Sequence, residues 1–495
     1  MLTETANRDS RLSLWQRVRE FAVPPSMIET ATTRRSVGDW AGACAAAGFD
    51  VDLDLRTTAR TYGQELASRV RADLRRLAPD LLRWHLPRIA PDGLLRPGLT
   101  ITLARYATGS GDGLGRVHLV ARTPPGWADG GQRVSLALWD AARATAGLRH
   151  HPHPHPSRRF RLDLHRHLWD AQRSADLRVR SGADLPPADT GPSDPATRPP
   201  DDPDGPDSPA GVRALLGPLL QHCAVDRWAA EAAILLRAEG RPDGPVVVRL
   251  GGRRRLLLDL APERAGPPAL RLAPASAGGD RATRRGHDGP GSGRGAPPPV
   301  LSDAATWVLP DLELVRTGSV DARRLHPLVA AALAPDHPPA GGPSPHPHPD
   351  ADPAGQPGIV DCRGTRHRIG LVDGVLVPLD HDPAEIRREE LLVALGGTPL
   401  PCLQVIDRAH RRPECLTGVR ERLDHGDAAG ALAVVEGLLG PDAVLRSGAL
   451  QDELQAAADR LVAHGLLRAG LVSPGPAPAR RPGTDRTRKR HATRR

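Results

Sequence analysis

The residues from Phe160 to His167 carry the side chains best suited to chemistry. A strand there would place Phe160, Leu162 and Leu164 on one face and Arg161, Asp163, His165 and His167 on the other. His118, between Val117 and Leu119, would take the polar face of its own alternating stretch. If the two strands are neighbours, two or three imidazoles and a carboxylate meet, which are zinc ligand types. A metal-dependent hydrolase could be built on His118, Asp163, His165 and His167. The plainer account is a solvated strand face, because a His-x-His pair without a third fixed ligand is a weak signal.

Other reactive residue types have plainer readings as well. Cys402, His410 and Cys415, with Cys362 or His367, have loosely metal-like identities, but no Cys-x-x-Cys pair exists. Half-buried structural cysteines fit that pattern better. A nucleophilic cysteine would need a histidine beside it, which spacing does not show. Asp380, His381, Asp382 and Glu385 look like a carboxylate cluster and read better as a helix start. Asp382 would be the N-cap, Pro383 the first helical residue and Glu385 the capping-box acid. The His-Pro alternations at 150–156 and 345–349 hold the chain extended, so their imidazoles do not close easily round one ion. Gly109–Gly115 has the glycines of a phosphate loop, but an alternating strand pattern follows it, which suits a hairpin turn. Arg253–Arg255 and Arg363, Arg366 and Arg368 read as solvated strand edges.

One count excludes whole classes. The chain holds a single lysine, Lys489, against 66 arginines. P-loop, protein-kinase and Schiff-base chemistries each need a placed lysine. The arginine excess, with 51 Gly and 52 Pro, is the coding bias of a high-GC genome first. Of the formal net charge of +9, +7 lies in residues 480–495, on Arg480, Arg481, Arg486, Arg488, Lys489, Arg490, Arg494 and Arg495, less Asp485. The body is nearly neutral, and the tail is the better anion binder, able to hold nucleic acid in a salt-dependent way or the chain's own acidic linker.

The elements that would position these residues belong to an α+β, multi-module chain. Small antiparallel sheets pack with helices, long disordered linkers intervene, and the C-terminal region is mostly helical. Residues 1–182 form the first module. Leu14, Val18 and Phe21 share a helical face ended by Pro24-Pro25, and helical spacing runs from Leu66 to Leu81. Four strands follow, near 99–103, 117–121, 134–138 and 160–164. Residues 183–211 are an acidic linker with nine prolines and seven aspartates, too poor in apolar surface to fold. Residues 212–273 hold helices near 214–222 and 226–239, then a hairpin turned by Gly251-Gly252, with Leu270 and Leu272 adding a strand. A Gly/Arg/Pro-rich linker spans 274–299, a short helical segment 300–334 (a helix near 321–333), and a His/Pro-rich linker 335–357. Residues 358–470 read as a β-meander followed by helices, and 471–495 as a basic disordered tail.

The run Gly38-Asp39-Trp40-Ala41-Gly42-Ala43-Cys44-Ala45 matches residues 426–433 at six of eight positions. In both, the aspartate can cap a helix with a small-residue face. Coincidence in an Ala/Gly-rich chain is the simpler explanation of two copies 388 residues apart. The stretch Val23–Thr30 with Gly38-Asp39-Trp40, and the stretch Asp373–Asp382, resemble an uncharacterised protein family of high-GC actinobacteria. The resemblance extends over the three modules and implies no activity.

The polar N-terminus has no apolar signal core, and no stretch of 18 apolar residues exists, so a cytoplasmic protein without a membrane partner is expected. Five sparse cysteines fit a reducing compartment. Together these features favour a non-catalytic interaction or scaffold protein with a protein partner, docking through the helices after Pro383. No cofactor is expected, with zinc the ion to look for. The hydrolase and tail-borne nucleic-acid readings are the alternatives.

Overall fold

The computed structural model describes residues 2–471 apart from 109–114, 142–153, 185–221, 242, 252–253, 261–268, 273–296, 336–357, 363, 373–374, 396, 412–415, 440–444 and 446. The basic tail, almost all of the three linkers, the helix expected at 214–222, Cys415 and most of the His-Pro repeats lie outside the described residues.

The fold is α+β. It divides into two compact units, one of Met1–Thr123, Val134–Thr145 and His153–Pro353, the other of Pro124–Arg133, Ala146–Pro152 and Ala354–Arg495. The segments expected as separate modules at 1–182, 212–273 and 300–334 thus fall largely in the first unit. Long-range polar contacts join them. Arg19, on helix Leu2–Phe21, clamps Asp311, on helix Pro310–Arg316, with bonds of 2.7 and 2.8 Å.

Within the first unit, the helical spacing from Leu66 to Leu81 resolves into two helices, Gln64–Arg76 and Pro79–His85. The break precedes Pro79, whose ring cannot continue a helix but suits a first turn. All five apolar residues of that spacing are buried. The main sheet contains β1 (Phe49–Asp52), β4 (Thr100–Thr108), β5 (Gly115–Arg122) and β6 (Val134–Asp140), ordered β1-β6-β5-β4, with a two-stranded ribbon of β2 (Arg88–Ile89) and β3 (Leu94–Leu95) beside it in sequence. It is antiparallel except that β1 runs parallel to β6. Three of the four expected strands are β4, β5 and β6. The fourth is corrected: Phe160–His167 is no strand but a series of turns leading into a 3-10 helix at Arg166–Leu168. Leu162 N–H reaches the Thr102 carbonyl of β4 at 2.8 Å, but the bonds that follow close locally, His165 N–H to the Leu162 carbonyl and Leu168 N–H to the His165 carbonyl, both 3.0 Å, so no ladder forms.

The second sheet of this unit has β7 (Gly244–Arg249), β8 (Arg255–Leu260) and β9 (Ala269–Leu272), all antiparallel, as the alternation and Gly251 (φ +89°) predict. Helix Val225–Ala238 buries Trp228, Ala232, Leu235 and Leu236 against Val246, Val248, Leu256 and Leu258. The helix expected at 321–333 starts instead at Pro327 and runs to Leu333, after a short 3-10 turn at Ala322–Arg324.

The second unit carries the meander β10 (Gly358–Cys362), β11 (Thr365–Val372) and β12 (Val375–Pro378), then helices Pro383–Ala394, Pro401–Arg411, Leu416–His425, Ala428–Leu439 and Ala449–Arg468. One small core packs the meander on the second of these helices through Cys362, Ile369, Leu400, Cys402 and Ile406. A separate core joins the last three through Val419, Leu423, Ala431, Val435 and Leu450. No helix among the described residues is long and apolar enough to cross a membrane.

Candidate metal centre

The set read from the sequence is held in ion pairs and hydrogen bonds. Asp163 accepts two bonds from Arg161, at 2.9 and 2.8 Å, and an ion pair from Arg105 at 2.8 Å. Both arginines also reach Glu239, at 2.8 and 3.1 Å. Burial acts to raise the Asp163 pKa, but the bonds and charge of Arg161, with Arg105, outweigh it and hold the carboxyl below its usual range. This carboxylate is committed to guanidinium partners. His165 turns Nε2 to Ser302 Oγ at 2.5 Å, while Nδ1 faces Arg180 at 3.2 Å. His167 is buried edge-on to His165, with ring centroids 5.7 Å apart. His118 sits on β5, its Nδ1 3.2 Å from Thr102 Oγ1 and its ring against Trp139. Burial pushes the His118 and His165 imidazoles down to about 4, so both are neutral at pH 7.

A different group converges in the second unit. Cys362, His381 and Cys402 bring one ligand atom each to within 4.8 Å of the others, and among the described residues no other such group of three or more His, Cys, Asp and Glu is found. Local structure explains the placement. Cys362 ends β10, where the hairpin turns through Gly364 (φ +84°). The register sets Thr365 opposite Cys362 and His367 opposite Val360, so the inner face carries Cys362, His367 and Ile369. His381 follows β12, held between Asp380, which accepts from the Arg368 amide at 2.8 Å, and Asp382. The predicted cap is present at Asp382, which accepts from Ala384 N–H at 2.8 Å with Pro383 as first helical residue. Glu385 does not close a capping box. Its Oε2 meets His381 Nδ1 at 3.2 Å instead. Cys402 opens helix Pro401–Arg411, and its N–H donates to Cys362 Sγ at 3.3 Å.

His367 is not one of the three converging donors but packs on His381 beside them. Its Nδ1 lies against His381 Nε2, with ring centroids 3.9 Å apart and planes at 73°. The side chain of His381 is 4% exposed, and both cysteines are buried. Burial pushes the Cys402 thiol up to about 11, with Cys362 acting in the same direction, and burial pushes Cys44 and Cys223 up to about 12. None of these three is a thiolate nucleophile at neutral pH.

Sequence reasoning grouped Cys402 loosely with Cys362 or His367, beside His410 and Cys415, preferred structural cysteines, and read His381 only as part of a helix start. The usable signal was His381 standing one residue before a proline-initiated helix and just after a hairpin that already carries Cys362 and His367. The side chain of His410 and Cys415 lie outside the described residues. No family model, curated protein or solved structure matches the chain.

Proposed function

We propose that the chain is a non-catalytic interaction or scaffold component that binds a protein partner through the helices of its second unit. One observation carries this reading. Among the described residues, every strongly exposed large apolar side chain except Val37 and Val179 belongs to the second unit. The density is greatest where helix Pro383–Ala394 ends: Leu391, Leu392, Val393 and Leu395 are all exposed, Leu395 at 86%. Leu461, Val462 and Leu466 add a second apolar stretch on helix Ala449–Arg468. Single exposed apolar residues need no explanation, but contiguous ones mark contact surfaces. The commitment of Asp163 and His165 to other partners weighs against hydrolysis at the sequence-derived set.

The test is affinity capture from the native cells with the full chain and with a Leu391→Glu/Leu395→Glu variant, followed by mass spectrometry. Both positions are exposed, so circular dichroism of the variant should match the parent. A reproducible protein retained by the parent and lost by the variant is the expected result. No reproducible partner, or equal retention by both chains, overturns the reading. Nucleic acid retained by the parent and lost on removal of 480–495 would favour the tail.

A further inference from the structure

We propose that Cys362, His367, His381 and Cys402 form a closed, four-ligand structural zinc site that ties the meander of the second unit to helix Pro401–Arg411. The proposal is independent of the partner reading above.

The ligand chemistry is selective. Two thiols and two imidazoles are the donor set of a Cys2His2 zinc site, whereas calcium and magnesium take oxygen ligands. The four residues come from four separate pieces of chain: the end of β10, β11, the turn after β12, and the first turn of helix Pro401–Arg411. In a tetrahedral zinc site with bonds of about 2.0–2.3 Å, ligand atoms stand roughly 3.3–3.8 Å apart. Small side-chain rotations close the 4.8 Å spread of the donors on Cys362, His381 and Cys402 to that value, and His367, outside that group but with its ring centroid 3.9 Å from that of His381, would turn in as the fourth ligand.

The surroundings are those of ligands already aimed. Glu385 Oε2 accepts from His381 Nδ1–H at 3.2 Å, which leaves the lone pair on Nε2, the nitrogen that faces His367 Nδ1. Such a carboxylate–histidine pair fixes the tautomer and orientation of a zinc-binding imidazole. The Cys402 amide already donates to Cys362 Sγ at 3.3 Å, which holds that sulfur beside the start of the helix. The site also sits where the fold is short of core. Among the described residues five are buried in this cluster, and two of them are Cys362 and Cys402. A small module with so few apolar contacts is the kind that a metal cross-link stabilises. With all four positions filled by protein, no coordination site is left for substrate, so the ion would be structural.

Binding replaces the two thiol protons by sulfur–zinc bonds and releases them to solvent, with no redox step. The experiment uses the full chain, purified under reducing conditions and dialysed against a weak chelator. Elemental analysis should find about one zinc per chain, as expected of a structural site with slow metal loss. Cys362→Ser and Cys402→Ser should each lower that content at least tenfold, while His165→Gln should leave it unchanged. Because the serine variants could misfold, cobalt is exchanged into the parent as well. Tetrahedral cobalt bands with a thiolate-to-metal charge-transfer band are expected. Zinc content below a tenth of an equivalent, absence of the thiolate band, or a Cys362–Cys402 disulfide in the purified chain each overturns the proposal.

Discussion

Arg19 and Asp311 have both been taken out of water. The guanidinium makes two bonds to the carboxylate, at 2.7 and 2.8 Å, donates a third to the Trp84 carbonyl at 2.9 Å and lies over the Trp84 ring; Trp84 Nε1–H completes the shell of Asp311 at 3.0 Å. Their side chains are 3% and 0% exposed. Removing one member leaves a buried charge uncompensated, which costs about 3–5 kcal/mol, whereas replacing both by apolar residues of similar volume is often close to neutral. Asp311→Ala should therefore lower the urea midpoint sharply, and Arg19→Met/Asp311→Leu should lower it less. A double variant at least as damaged as the single one would show that the pair is not the cause. Nothing in the sequence marks these residues as partners, because they are 292 positions apart and each sits in an unremarkable amphipathic helix. His381 was hidden for a different reason: a helix start explains its neighbours so completely that nothing in the sequence marks its ring as a ligand.

At the level of elements, the repeated run near 38 and 426 is a shared piece of structure. In both copies a helix ends, a glycine takes positive φ (Gly38 +81°, Gly426 +89°), and the next aspartate caps a new helix. Asp39 accepts from Gly42 N–H at 2.8 Å, Asp427 from Gly430 N–H at 2.9 Å, and an arginine five residues earlier meets each carboxylate. The second glycine of each run is required because a Cβ on Gly42 or Gly430 would stand 2.1 Å from Oδ2 of the capping aspartate, the oxygen that meets the arginine. Ala for Gly inside a helix ordinarily gains about 0.5–1 kcal/mol. Gly437→Ala, with nothing within 4 Å, should follow that rule in helix Ala428–Leu439. In the same helix Gly430→Ala should destabilise by about 1 kcal/mol through loss of the cap. Thermal melts moving in the same direction for the two variants would refute this. Elements with a sharp period and a turn signal, such as β7–β8 and the meander, were legible in the sequence. The strand expected at 160–164 failed because alternating apolar residues also occur where an irregular segment crosses a core. There Phe160 packs on the core and Leu162 is buried in it, while Arg161 and Asp163 are themselves mostly buried as an ion pair. The short β1 went unrecognised because four residues carry little periodicity, and its partner β6 comes more than 80 residues later.

For the whole molecule, the titrating groups of the first unit make stability depend on acid. Burial holds His165 and His118 at about 4 and His167 well below 6.5 in the folded chain, with neighbouring arginines adding to the shift and Glu231 opposing it at His165. The unfolded chain binds these protons near pH 6.5, so below that value it holds more protons than the native state. Stability from these groups is therefore complete above about pH 6.5 and is lost as pH falls toward the folded values near 4. The loss for a fully buried histidine such as His165 is on the order of 1 kcal/mol per pH unit. The urea midpoint of the full chain should fall between pH 7 and 4.5, and His165→Gln should flatten that fall. A profile unchanged by the substitution would remove His165 from the account. The sequence identified the α+β class and the helical character of the C-terminal region, since both follow from local period. It left the grouping into two units unread, because that rests on contacts such as Arg19–Asp311. The same clamp has a consequence for synthesis. Arg19 leaves the ribosome 292 residues ahead of Asp311, a delay of roughly 15–60 s at about 5–20 residues per second. That helix is thus locked well after it is made, and until then its arginine belongs in water rather than in the core.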